Sequence, residues 1–148
     1  MNQMVVVDAS VAVKWVLDEE FTQQARHLLR DSVRLLILAP AHLTSEVTNA
    51  LYQRVRTTDP TKHISAAEAQ EALTQFLRFR IALRAEPELY QQALRFAQTH
   101  RLSQIYDSLY IVLAQLTQTK LWTADQRLVH AIATSAPWVR WIGDYPQP

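Results

Sequence analysis

The chain has 148 residues, 49% of them apolar and 20% charged, with a net charge of +1. That balance predicts one folded domain over residues 1–148 with a single sizeable core, and excludes a disordered chain. It holds no cysteine and one glycine, Gly143, which removes thiolate zinc sites, thiol nucleophiles and every glycine-rich loop that cradles nucleotide phosphate or carries a nucleophilic serine.

In chain order, VVV at 5–7 predicts a strand buried on both faces. Residues 10–17 and 22–31 have helical spacing, the second with Ala25, Leu28 and Leu29 on one face. LLIL at 35–38 predicts the next strand, and Pro40 suits the first turn of a helix carrying Leu43, Val47, Ala50, Leu51 and Val55. TTDPTKH, 57–63, is polar and broken by proline, so it reads as a loop. A helix at 65–78 and a short strand at 81–85 follow. Leu89, Ala93, Phe96, Ala97 and His100 share one helical face; Ile105, Leu109, Val112, Leu113 and Leu116 share another. KLWT, 120–123, and WVRWI, 138–142, are strands on either side of a helix that begins DQRLVHAIA. Strand alternating with helix predicts an α/β fold, a parallel sheet of about four to five strands with helices on both faces. No uncharged run exceeds about a dozen residues, too short to span a membrane. Asp8 and Lys14 interrupt the first apolar stretch, which argues against a signal peptide and for a cytoplasmic protein.

Most of the fourteen acids sit where solvent is expected: the run Asp18, Glu19, Glu20, for example, or Asp31 between arginines. Four do not. Asp8 ends the first strand, Glu46 lies one or two turns into the helix after the second, Asp107 opens an apolar helix, and Asp125 follows KLWT by two residues. Sites in an open parallel sheet form beyond the carboxyl ends of the strands. Asp8 and Asp125 are placed there directly, and helices that return from a strand present their N-termini to the same edge. A plainer reading competes: Asp8, Asp107 and Asp125 as helix N-caps, and Glu46 on a solvated stripe with Asn49 and Gln53. If the four converge, their repulsion calls for a cation. Oxygen ligands alone suit Mg²⁺ or Mn²⁺, and such sites activate water for displacement at phosphorus. None of the five histidines has another three or four residues away, so a helical zinc site is not written here. Lys14 and Arg127 are either phosphate contacts or ordinary solvated charges. The four tryptophans suit the core better than base stacking.

VVVDASVAVKW, SEVTNAL, RLSQIYDSLYIVLA, LWTADQRL and the closing VRWIGDY, in this order and spacing, resemble the PIN-domain ribonucleases, and among them the VapC toxins of bacterial toxin–antitoxin pairs. The resemblance covers essentially the whole chain as a single PIN-like domain. It implies that Asp8, Glu46, Asp107 and Asp125 are metal-binding, catalytic acids, with Ser10, Asn49 and Thr123 as supporting polar residues. It also implies cleavage of RNA, a homodimer and a cognate antitoxin. One departure stands in the loop before LWT: LTQTK lacks the glycine usual in such toxins, which bears on the turn and not on the acids. A receiver domain wants adjacent acids after the first strand, and a haloacid-dehalogenase phosphatase wants aspartate where Ser10 stands. The sharper rival is a non-catalytic PIN-like module that binds RNA or protein.

Overall fold

The computed structural model describes residues 3–148. Five strands form one sheet: β1 (Gln3–Val7), β2 (Leu35–Pro40), β3 (Ile81–Arg84), β4 (Leu121–Thr123) and β5 (Val139–Trp141). Their order is β3-β2-β1-β4-β5, and every pairing is parallel. The seven α-helices are α1 (Ala9–Ala12), α2 (Thr22–Asp31), α3 (Leu43–Arg56), α4 (Ala66–Phe76), α5 (Pro87–His100), α6 (Tyr106–Leu116) and α7 (Gln126–Ala131). Right-handed crossovers from β1 through β3 put α1 to α4 on one face; the chain then reverses direction, so α5 to α7 cover the other.

Val5, Val6 and Val7 form the centre of the sheet and are buried with Ile37, Leu38 and Ala39 of β2. The sheet needs uninterrupted apolar runs because both of its faces are covered. Helix α6 is buried without a break from Ser108 to Ala114, which explains why its apolar face spreads around the helix. Trp15 and Trp138 spend their indole N–H groups on the carbonyls of Ala25 and Ile111, both at 2.9 Å. The tryptophans therefore pack the body of the protein, as expected of apolar neighbours with a polar handle.

Several boundaries differ from the sequence reading. Residues 10–17 are not one helix: α1 gives way to a 3₁₀ turn at Val13–Trp15. Pro40 ends β2 and does not open a helix; it pairs with Arg84 of β3, and the next amide, Ala41, donates to the Arg84 carbonyl at 2.9 Å. A proline at the end of a strand sacrifices no interior ladder bond. Helix α4 starts one residue after Ser65, which accepts from Glu68 N–H at 3.1 Å while Glu68 accepts from Ser65 N–H at 2.7 Å, a reciprocal cap. Asp31 is half-buried and accepts from the Tyr145 hydroxyl at 2.5 Å, so it is not a simple solvated charge. Among the described residues no helix is long and apolar enough to cross a membrane.

Candidate active site

Strand order reverses between β1 and β4. The carboxyl ends of those two strands form the crevice where open sheets of this kind hold ligands. Asp8 leaves β1 there and Asp125 leaves β4. Helices α3 and α6 bring Glu46 and Asp107 to the same edge, each in its helix's first turn. Glu46 is thus nearer its helix start than the sequence reading placed it, because α3 begins only at Leu43.

Asp8 is buried, 8% exposed. Its Oδ1 accepts from the Ser10 hydroxyl at 2.6 Å and from the Val11 amide at 3.2 Å. Burial pushes its pKa up to about 6; Ser10, Thr123 and Val11 work against that rise, and the charge of Asp107 adds to it. Ser10 also accepts from the Ala124 amide at 2.9 Å and lies 3.4 Å from Thr123 Oγ1. Thr123 in turn accepts from the Asp125 amide at 3.1 Å. Ser10 and Thr123 therefore tie the ends of β1 and β4 together beneath the acids. Asn49 does not join them: it is exposed and accepts from Gln53 at 3.4 Å.

The capping reading holds for two acids and fails for one. Asp8 and Asp125 each cap a helix, Asp125 accepting from Leu128 N–H at 3.0 Å. Asp107 caps nothing; Ile105 is the N-cap of α6. Its carboxyl is pushed up by desolvation and by the charges of Asp125 and Glu46, although the residue remains open to water. Burial works to raise Glu46, but the imidazole of His42 beside it and the hydrogen bond from Tyr110 outweigh it, and its pKa falls below the ordinary value.

The sequence reading missed the aromatic side of the cleft. The Tyr110 hydroxyl donates to Glu46 Oε1 at 2.7 Å. His42 Nε2 lies 2.9 Å from the same oxygen, close but not aligned for a hydrogen bond. The distance supports electrostatic proximity, and the angle denies a full bond. His42 packs between Tyr106 and Tyr110, with ring centroids 5.5 and 5.1 Å away. Two local signals mark this group: His42 lies four residues before Glu46, and Tyr110 is a phenol inside an apolar helix, where it needs an acceptor.

Asp8, Asp107 and Asp125 have no ion-pair partner among the described residues. An all-oxygen set in which burial and neighbouring charge raise Asp8 and Asp107 fits a hard divalent cation. As placed, however, no three acid or histidine side chains among the described residues stand close enough to hold one ion together. The acids share an edge and feel each other's charge, while their carboxyls stand apart. Lys14 is buried 3.4 Å from Glu19, which also meets Arg54 at 2.9 Å, so Lys14 is not presented at the surface. Arg127 is exposed on α7, two residues past Asp125.

The backbone is similar to that of PAE2754 from Pyrobaculum aerophilum, with a TM-score of 0.68 at 22% identity over 97% of this chain and 93% of that one. It is also similar to VapC20 of Mycobacterium tuberculosis, a Sarcin-Ricin loop cleaving toxin, with a TM-score of 0.63 at 16% identity over 86% and 94% of the two chains. No curated protein matches the sequence. The PIN domain family model matches residues 5–133, from the first strand through the helix after β4, and the chain belongs to the PIN domain family.

Proposed function

We propose that this protein is a metal-dependent endoribonuclease, the toxin of a toxin–antitoxin pair, that hydrolyses RNA phosphodiester bonds. The observation that carries the reading is the set of four acids at the strand-order switch, three of them with no cationic partner among the described residues. The structural likeness to a toxin that cleaves an RNA loop supports it. Asp8, Glu46, Asp107 and Asp125 would hold Mg²⁺ or Mn²⁺. Such a cation would act as a Lewis acid toward water and the phosphate. Ser10 and Thr123 hold Asp8 and the β4 end in register, and exposed Arg127 is placed to meet a phosphate. An antitoxin protein and a second copy of the chain complete the reading as partners.

One observation favours the rival, a non-catalytic binding module: the carboxyls stand apart. Incubating the protein with single-stranded RNA and Mn²⁺ separates the two. Cleavage leaving 5′-phosphate and 3′-hydroxyl ends, abolished by EDTA, is expected. Asp107→Ala should cost at least about tenfold in rate, taking the loss of a ligand as no milder than that of an outer-shell partner. It should shift stability by no more than about 0.5 kcal/mol, because Asp107 caps nothing and alanine favours helix. Cleavage that survives EDTA, or a fully active Asp107→Ala, would overturn the metal mechanism.

A further inference from the structure

We propose that Tyr110 is a positioning residue of this site: it holds the Glu46 carboxylate by one oxygen and leaves the other to a bound cation. The inference rests on the nuclease reading of the four acids. Tyr110 lies one helical turn beyond Asp107, on the same side of α6. Its hydroxyl crosses to α3 and meets Glu46 Oε1 at 2.7 Å, joining residues 64 positions apart. His42 crowds the same oxygen at 2.9 Å, whereas Oε2 takes no hydrogen bond among the described residues. The glutamate is thus gripped on one side only.

Tyr110 is buried, and an ionised carboxylate can only accept, so the phenol is the donor of the pair. A fixed donor on one oxygen of a ligand orients the carboxylate, as partners of metal ligands commonly do. A tyrosine that merely filled the core would need any acceptor, and a backbone carbonyl would serve; this hydroxyl reaches Glu46 on another helix.

The test is calorimetric titration of Mn²⁺ into the full chain, its Tyr110→Phe and Glu46→Gln variants, and the double variant. Phenylalanine keeps the ring against His42 and removes only the hydroxyl. Tyr110→Phe should weaken Mn²⁺ binding by about 10- to 100-fold and add little to that loss in the Glu46→Gln background, the mark of two residues acting as one unit. Tyr106→Phe, altered on the other ring against His42, should bind Mn²⁺ within about twofold of the parent, the scatter expected of a site without coupling. An unchanged Mn²⁺ affinity in Tyr110→Phe, with or without a lower melting temperature, would make Tyr110 a core residue and overturn the proposal. Equal losses in both backgrounds would do the same. A parent chain that binds no Mn²⁺ would overturn the nuclease reading, and this inference with it.

Discussion

At the scale of single residues, Asp8 stores free energy against the fold. Its folded pKa of about 6 exceeds the ordinary 3.8, so the folded state holds the proton more tightly than the unfolded chain does. The protonated carboxyl is at home below pH 3.8; raising the pH toward about 6 strips that proton at a cost to the fold. Stability from this group is therefore full in acid and lost as pH rises through the folded pKa. The gap of about two units corresponds to about 3 kcal/mol. Urea unfolding with chelator present should show the parent losing about 2 kcal/mol more between pH 4.5 and 7 than Asp8→Asn does, since asparagine still caps α1 and carries no charge. Equal pH slopes in the two proteins would show that Asp8 ionises freely. Bound cation reverses the balance, because a ligand held only by the folded state stabilises it.

At the scale of elements, the helix ends do with ordinary residues what glycine usually does. After α6, Gln118 adopts φ 53°. Its amide meets the Gln115 carbonyl and the Thr119 amide meets Ala114, at 3.1 and 2.9 Å, the paired bonds of a left-handed helix terminator. This is the turn in LTQTK where the family resemblance leads one to expect glycine; the turn forms without it. Arg101 does the same after α5, at φ 52°. A non-glycine residue pays about 1–2 kcal/mol there, part of which glycine returns through its unfolded-state freedom. Gln118→Gly should thus raise stability by about 0.5–1 kcal/mol, read as a higher denaturation midpoint with unchanged slope. A lower midpoint would mean that Gln118 makes side-chain contacts worth more than its strain. The chain's only glycine is used differently. A methyl group on Gly143 would lie 2.5 Å from the Trp141 indole, so close ring-to-backbone packing reserves that position.

At the scale of the whole molecule, the sheet was legible and the cleft only half so. Strands β1, β2 and β4 announce themselves because runs such as Val5–Val7 are tolerated only where both faces are covered. Pro40 misled because its fixed φ suits a helix start and a strand end alike. The acids were legible from their place after strands, and His42, four residues before Glu46, is a local signal the sequence reading passed over. The meeting of Tyr110 with Glu46 depends on how the fold brings α3 and α6 together, and no local period encodes that. The spacing of the carboxyls depends on side-chain rotamers, which sequence pattern does not specify. Large apolar side chains stand in solvent, among them Leu77 at the end of α4, Leu83 on the edge strand β3 and Leu94 on α5. Exposed apolar groups of this kind favour association. Light scattering at micromolar concentration should give twice the chain mass of 17.1 kDa, and Leu77→Arg should reduce it without lowering the melting temperature. A parent that scatters as a monomer would contradict the dimer.

The position of β1 has a consequence for how the protein is made. Among the described strands it is made first, yet its second edge is covered only once β4 exists. Its β2 neighbour follows within about thirty residues, the register running from Gln3 against Leu35. Its other neighbour arrives far later, as the contact of Thr119 with the Met4 carbonyl spans 115 residues. At ordinary elongation rates the gap is about ten seconds. Through that interval Val6 and Val7 have one open ladder edge, and Asp8 lacks the Thr123 and Ala124 end against which Ser10 is set. The cleft is therefore among the last features the nascent chain completes, although its first acid is among the first residues made.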